Sequence, residues 1–160
     1  MTAQETTGAS LKRTPLYEQH RRLGARLVEF SGWEMPVQYS GILQEHRAVR
    51  TAAGLFDVSH MGEFKVSGAG AAAFLHYLVP NDVSRLAINQ ALYTQLCRPD
   101  AGVVDDLLIY RLAESDYMLV VNAGNIDKDF AWVQQQSAGY EVQLVNQSAE
   151  TGLLALQGPA

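Results

Sequence analysis

Glu63-Phe64-Lys65-Val66 alternates charged and apolar side chains, and its reading decides the fold class. A strand of this kind has one wet face and one dry face, which is the pattern of an antiparallel sheet. Working outward, residues 55–58 read as a strand just upstream. Downstream, residues 92–97 and 103–112 flank the turn Arg98-Pro99-Asp100-Ala101-Gly102 and read as a hairpin. Further strands are predicted at 117–121, 141–145 and 152–156.

Helices separate these groups. Thr14-Pro15 reads as a helix start, with Thr as cap and Pro in the first turn. Leu16 and Leu23 share one side of that helix and Gly24 is placed to end it. Residues 26–30 look extended and 31–36 look like a loop. Ile42, His46, Val49 and Ala53 stand at helical spacing over 42–53, with Gly54 as terminator. A third helix is expected at 71–79, stopped by Pro80-Asn81-Asp82. A fourth begins at Ile126 behind Asn125 as cap, buries Ile126, Phe130 and Val133, and precedes Gly139. Strands grouped between isolated helices predict an α+β fold, a largely antiparallel sheet with flanking helices.

Composition narrows the function. Apolar residues make up 48% of the 160 and charged residues 18%, an ordinary balance for a globular chain with a real core. A net charge of −5 leaves no basic face to neutralise phosphates, which argues against nucleic acid as a partner. Cys97 is the single cysteine, so no intrachain disulfide forms and metal sites built on paired cysteines are excluded. No apolar run approaches the roughly 18 residues of a membrane span. Residues 1–13 have no apolar centre and read as a disordered polar leader, not a secretory signal. The cytoplasm is the expected compartment. His20, His46 and His60 are too dispersed to nominate a metal site, and no metal is expected.

Gly68-Ala69-Gly70-Ala71-Ala72-Ala73 fits the dinucleotide pattern G-x-G-x-x-A between a strand and a helix. Its strand alternates, however, and the ribose-binding acid is missing some 20 residues on, where 88–92 carries no carboxylate. Ser59-His60 is not a nucleophile–base pair, because neighbours on an extended chain face opposite ways. Asp105-Asp106 interrupts the apolar run Val103-Val104-Asp105-Asp106-Leu107-Leu108-Ile109-Tyr110, and alternation sends one carboxyl to each face. Residue physics leaves open which of the two matters, or whether both sit solvated at the strand mouth. Asn122 ends a strand before a helix, a position suited to ligand contact or to local turn chemistry.

These segments together resemble the glycine cleavage T-protein family. The resemblance is carried by Thr14-Pro15-Leu16-Tyr17, Phe30-Ser31-Gly32-Trp33-Glu34-Met35-Pro36, Gly102-Val103-Val104-Asp105-Asp106-Leu107, Val121-Asn122-Ala123-Gly124-Asn125 and Leu156-Gln157-Gly158-Pro159. The most specific run is Ala52-Ala53-Gly54-Leu55-Phe56-Asp57-Val58-Ser59-His60-Met61-Gly62-Glu63. The resemblance implies a tetrahydrofolate-dependent aminomethyltransferase, with tetrahydrofolate as co-substrate and the lipoylated H-protein as partner. It implies that residues 14–160 are the N-terminal part of a folate-binding region, with the rest of that region and a C-terminal β-rich domain beyond residue 160. It also implies Asp106 as the catalytic aspartate, and Met61, Tyr93, Val120 and Asn122 as lining of the pterin pocket. The competing expectation is a folate-binding relative without transferase activity, such as an iron–sulfur assembly factor. A fusion to a flavin dehydrogenase would need an upstream domain, and the resemblance already begins near Thr14.

Overall fold

The computed structural model describes residues 10–160. In chain order the elements are α1 (Tyr17–Arg22), β1 (Arg26–Phe30), β2 (Trp33–Gln38), α2 (Ile42–Thr51), β3 (Gly54–Asp57), β4 (Gly62–Ser67) and α3 (Ala71–Leu78). There follow β5 (Ala91–Cys97), β6 (Val103–Ala113), β7 (Asp116–Val121), α4 (Ile126–Gln136), β8 (Gln143–Asn146) and β9 (Leu154–Gln157), with 3-10 turns at Val83–Arg85 and Ala123–Asn125. All paired strands are antiparallel, so the α+β class read from the alternation at 63–66 holds. The chain forms two compact units: residue 10 to His60 with Leu154–Ala160, and Met61–Leu153. Of the polar leader, residues 1–9 lie outside the described residues, and Lys12 forms a parallel bridge to Trp33.

In the first unit, β1 and β2 make a hairpin and β3 pairs with β9. The expected loop at 31–36 is mostly strand. Ser31 and Gly32 both take left-handed backbone angles (φ 51° and 82°), which closes a two-residue hairpin and lets Trp33 pair with Phe30. Pro36 cannot donate to a ladder, but a two-stranded sheet has edges where no donation is needed, so it stands within β2. α1 also turns differently from expectation. Tyr17 and His20 are its buried residues while Leu23 is exposed, and Thr14 makes no side-chain cap. α2 stops at Thr51, short of the expected Ala53, and buries none of its residues. Gly54 opens β3 where a Cβ would fall 2.4 Å from Val49 Cγ2.

The second unit is a five-stranded sheet in the order β5-β6-β7-β4-β8. Register fixes its two faces, because directly paired residues share a face. Phe64, Leu119, Ile109 and Leu92 form one cross-strand row. With Val66, Leu107 and Val121 they meet Phe74, Leu75 and Leu78 of α3 and Val133 of α4 in a single core. Phe64 is fully buried and packs edge-on against Phe130 of α4, ring centroids 5.1 Å apart. The opposite face carries the row Glu63, Val120, Leu108 and Tyr93. β4 departs from clean alternation here: Glu63, expected to be wet, is buried along with Phe64 and Val66.

The G-x-G-x-x-A run is a contact between backbones. Gly68 has φ 121° and a Cβ there would fall 2.6 Å from the Glu141 carbonyl oxygen. Gly70 N–H, an amide that a phosphate would need, donates to that same oxygen at 3.0 Å. Truncating the central ring should be costly. Phe64→Ala is expected to lower stability by about 3–5 kcal/mol, read as a lower urea midpoint at unchanged slope; a loss below about 1 kcal/mol would show that this core is not what holds the unit together.

Candidate functional site

Sheet register separates the two adjacent aspartates. Asp105 pairs with Leu96 and Asp106 with Gln95 on β5. Asp105 therefore shares the face of Leu107 and Ile109, under α4, whereas Asp106 shares the face of Leu108, Val120 and Tyr93. The two carboxyls meet different chemistry as a result. Asp106 Oδ2 accepts from the Tyr93 hydroxyl at 2.6 Å and Oδ1 from Asn122 Nδ2 at 3.1 Å. Tyr93 is 60% exposed, so this pair stands at an open surface. The bond to Asp106 is the main reason the Tyr93 phenol is raised above its ordinary pKa.

Asn122 is the bridge between the faces. Its Nδ2 also donates to Asp105 Oδ1 at 3.0 Å and lies 3.3 Å from the Asp106 carbonyl. Carboxyl oxygens on both sides fix the amide's orientation: the NH2 faces the aspartates and Oδ1 turns away from them. Asn125, expected as a helix cap, instead sends Nδ2 to Asp105 Oδ2 at 2.9 Å. Asp105 is pushed up by burial, yet donors from Asp129, Asn125 and Asn122 outweigh that and hold it below the usual carboxylate value.

The residues named from the resemblance separate into two groups. Tyr93, Asp106 and Asn122 are joined by hydrogen bonds. Val120 lies on the same face by register, between Glu63 and Leu108, and Met61 immediately precedes β4, whose Gly62 pairs with Val121. Two buried acids went unnoticed in the sequence. Asp129 sits in the first turn of α4, in the stripe Ile126–Phe130–Val133, and is 0% exposed. Burial, with the facing Asp105, raises it to about 7. A carboxylate on an apolar helical stripe was the available signal. Glu63 is 1% exposed and burial raises it to about 7 as well, with neither carboxyl oxygen hydrogen-bonded.

In the first unit, Asp57 gathers three segments. It accepts from Thr14 Oγ1 at 2.6 Å, Ser59 N–H at 3.0 Å and His20 Nε2 at 2.7 Å, and His20 Nδ1 is bonded to the Tyr39 hydroxyl at 2.8 Å. His20 is thus committed to Asp57 and is not gathered with His46 and His60. Among the described residues no three His, Cys, Asp or Glu side chains are grouped to hold a metal, and no helix is long and apolar enough to cross a membrane.

An antiparallel α+β unit with a Tyr–Asp–Asn cluster at the exposed end of one sheet face is the class of protein that this fold and site define. The chain belongs to the GCVT N-terminal domain family, which matches residues 16–160. It is 60% identical over 149 residues to an aminomethyltransferase of Desulfitobacterium hafniense (strain DSM 10664 / DCB-2), covering 93% of this chain and 41% of that protein. It is 57% identical over 149 residues to the Bacillus subtilis (strain 168) aminomethyltransferase, with the same two coverages, 93% and 41%. Among solved structures it is similar to glycine cleavage system aminomethyltransferase T from Bartonella henselae, at TM-score 0.87 and 48% identity over 94% of this chain and 41% of that one. The chain thus spans about two fifths of the length of these relatives.

The buried acids carry a pH signature. Glu63, raised to about 7, keeps a proton that the unfolded chain has released above the ordinary glutamate value near 4.5. Its contribution to stability is complete below that value and is lost as pH rises through about 7. Chemical denaturation should show wild type losing stability relative to Glu63→Gln between about pH 5 and about pH 8. Parallel stability curves for the two proteins would place the Glu63 titration elsewhere.

Proposed function

We propose that this chain supplies one wall of the tetrahydrofolate site of an aminomethyltransferase of the glycine cleavage system. The observation that carries the reading is the Tyr93–Asp106–Asn122 cluster on the open sheet face, within a fold shared with proteins named aminomethyltransferase. In the complete reaction an aminomethyl group on the lipoyl sulfur of the H-protein is attacked at carbon by a folate nitrogen. The carbon ends as the methylene of methylenetetrahydrofolate, the nitrogen leaves as ammonia, and the lipoyl sulfur is returned as a thiol.

Asp106 would hold the attacking nitrogen in line with the aminomethyl carbon, and such orientation lowers the barrier by removing freedom before the reaction begins. Tyr93 on one carboxyl oxygen and Asn122 on the other restrict the Asp106 rotamer, which is what an orienting group requires. Half-buried Leu108 offers apolar surface beside these polar groups, a combination suited to a flat heterocycle, and Val120, paired with it on the same face, is buried. Met61 would complete the slot at the start of β4, and the Asn122 Oδ1, turned from the aspartates, would accept from a pterin N–H. The iron–sulfur assembly alternative gains no support from the proteins compared, which carry the transferase name.

Calorimetric titration of tetrahydrofolate into this chain, under anaerobic conditions, tests the reading. Saturable binding is expected, weakened roughly tenfold to a hundredfold by Asp106→Asn, in line with loss of a charge-assisted hydrogen bond. Absence of saturable binding by the folded chain, or equal affinity of the variant, would remove the folate site from this face.

A further inference from the structure

Asp129 plays no part in the transfer chemistry described above, yet its place in the core is difficult to account for by packing. It is 0% exposed, and neither carboxyl oxygen receives a hydrogen bond from an amide or hydroxyl group. The group it meets across the core is the Asp105 carboxyl. Lys128 Nζ lies 3.6 Å from Asp129 Oδ1 and donates instead to the Val104 carbonyl at 2.6 Å. Two carboxylates cannot bond one another, because neither has a hydrogen to donate. With one proton between them they can.

The surroundings decide where that proton sits. Asp105 accepts from Asn122 at 3.0 Å and Asn125 at 2.9 Å, donors that favour its ionised form. Asp129 has no amide donors, and the one side chain that favours its charged form is Lys128, 3.6 Å from its Oδ1. The partial positive charge at the start of α4 favours an anion at Asp129, but burial and the facing Asp105 outweigh it. We propose that Asp129 is a positioning residue: as a neutral carboxylic acid it donates to Asp105, and so fixes the Asn122 amide that holds Asp106.

The coupling runs through named bonds. The Asp129 hydroxyl anchors Asp105, and Asp105 Oδ1 anchors one hydrogen of Asn122 Nδ2. The other hydrogen of that amide reaches Asp106 Oδ1, whose companion oxygen is held by Tyr93. Losing the Asp129 proton sets a buried anion against the half-buried Asp105 anion, and Asp105 must shift away from Asp129. Asn122 then loses one of its three acceptors and is left with the carbonyl and Oδ1 of Asp106 alone. The ionisable groups facing Asp129 are Asp105 from β6 and Lys128 from its own helix. Since Asp129 titrates at about 7, the arrangement is intact below that pH and loosens above it. The functional consequence rests on the folate reading of Asp106; the proton and its link to Asn122 do not.

Three measurements on this chain separate these parts. Infrared difference spectra, wild type minus Asp129→Asn, should show a protonated carboxyl at about pH 6 that fades through about pH 7. The Asn122 side-chain amide resonances should move over the same range in wild type and stay fixed in Asp129→Asn. Tetrahydrofolate affinity in wild type should fall roughly tenfold between about pH 6 and about pH 8.5. Asp129→Asn, a neutral donor at every pH, should bind without that fall, and Asp129→Ala should be roughly tenfold weak at both ends. Absence of the protonated carboxyl band, or Asn122 resonances that move equally in wild type and Asp129→Asn, overturns the proposal. So does affinity in Asp129→Ala equal to wild type. Failure of wild type to bind tetrahydrofolate at any pH sinks the folate reading, and the infrared and amide signals still decide the role of Asp129.

Discussion

Alternation along β6, locked by pairing with β5 and β7, is the constraint on which the site depends. Two adjacent aspartates on an extended strand must leave it in opposite directions. Leu107 and Ile109 bind one face of that strand into the core, so the phase of the whole strand is set by apolar burial. A slip of one residue would exchange Asp105 and Asp106 and place Leu107 and Ile109 in the open. The core thereby decides which carboxyl faces the surface, without contributing an atom to the site itself.

That arrangement leaves Asp105 where a charge is costly. The fold compensates with donors from three places: the end of β7, the turn before α4 and the first turn of α4. An ionised carboxylate that collects three donors can remain half-buried, while the acid opposite it keeps its proton. Glu63 takes the second course without any partner, and burial alone keeps it protonated until pH approaches 7. Such groups contribute little to net stability and belong to the small set of positions where a fold departs from a purely apolar interior.

The most specific run in the sequence, 52–63, is used by the fold in an unexpected way. Asp57 serves as the acceptor for Thr14, His20 and Ser59, and His20 passes on to Tyr39. A stretch that marks the family is therefore also the hydrogen-bonded centre of the first unit. Thr14 and Asn125, both chemically able to cap helices, have their side chains committed to aspartates distant in sequence. Local capping competed with a charged acceptor in a poorly hydrated place, and the charged acceptor won.

Local pattern determined much of this protein by itself. The α+β class, the hairpin of β5 and β6, the helices α3 and α4 and the separation of the Asp105-Asp106 pair all follow from side-chain period and turn residues, because those act over a few neighbours. The proposal of Asp106 over Asp105 rests on family resemblance, since alternation is symmetric and does not say which face is the core. Tertiary structure decided which carboxyl lies on the core side, by placing α4 over Leu107 and Ile109 on the face that Asp105 shares. It also decided that Glu63 is dry, that Ser31-Gly32 folds 26–38 into a hairpin, and that Asp129 meets Asp105. Each of these depends on contact between segments far apart in the chain, and burial by a distant segment leaves no mark on the local period.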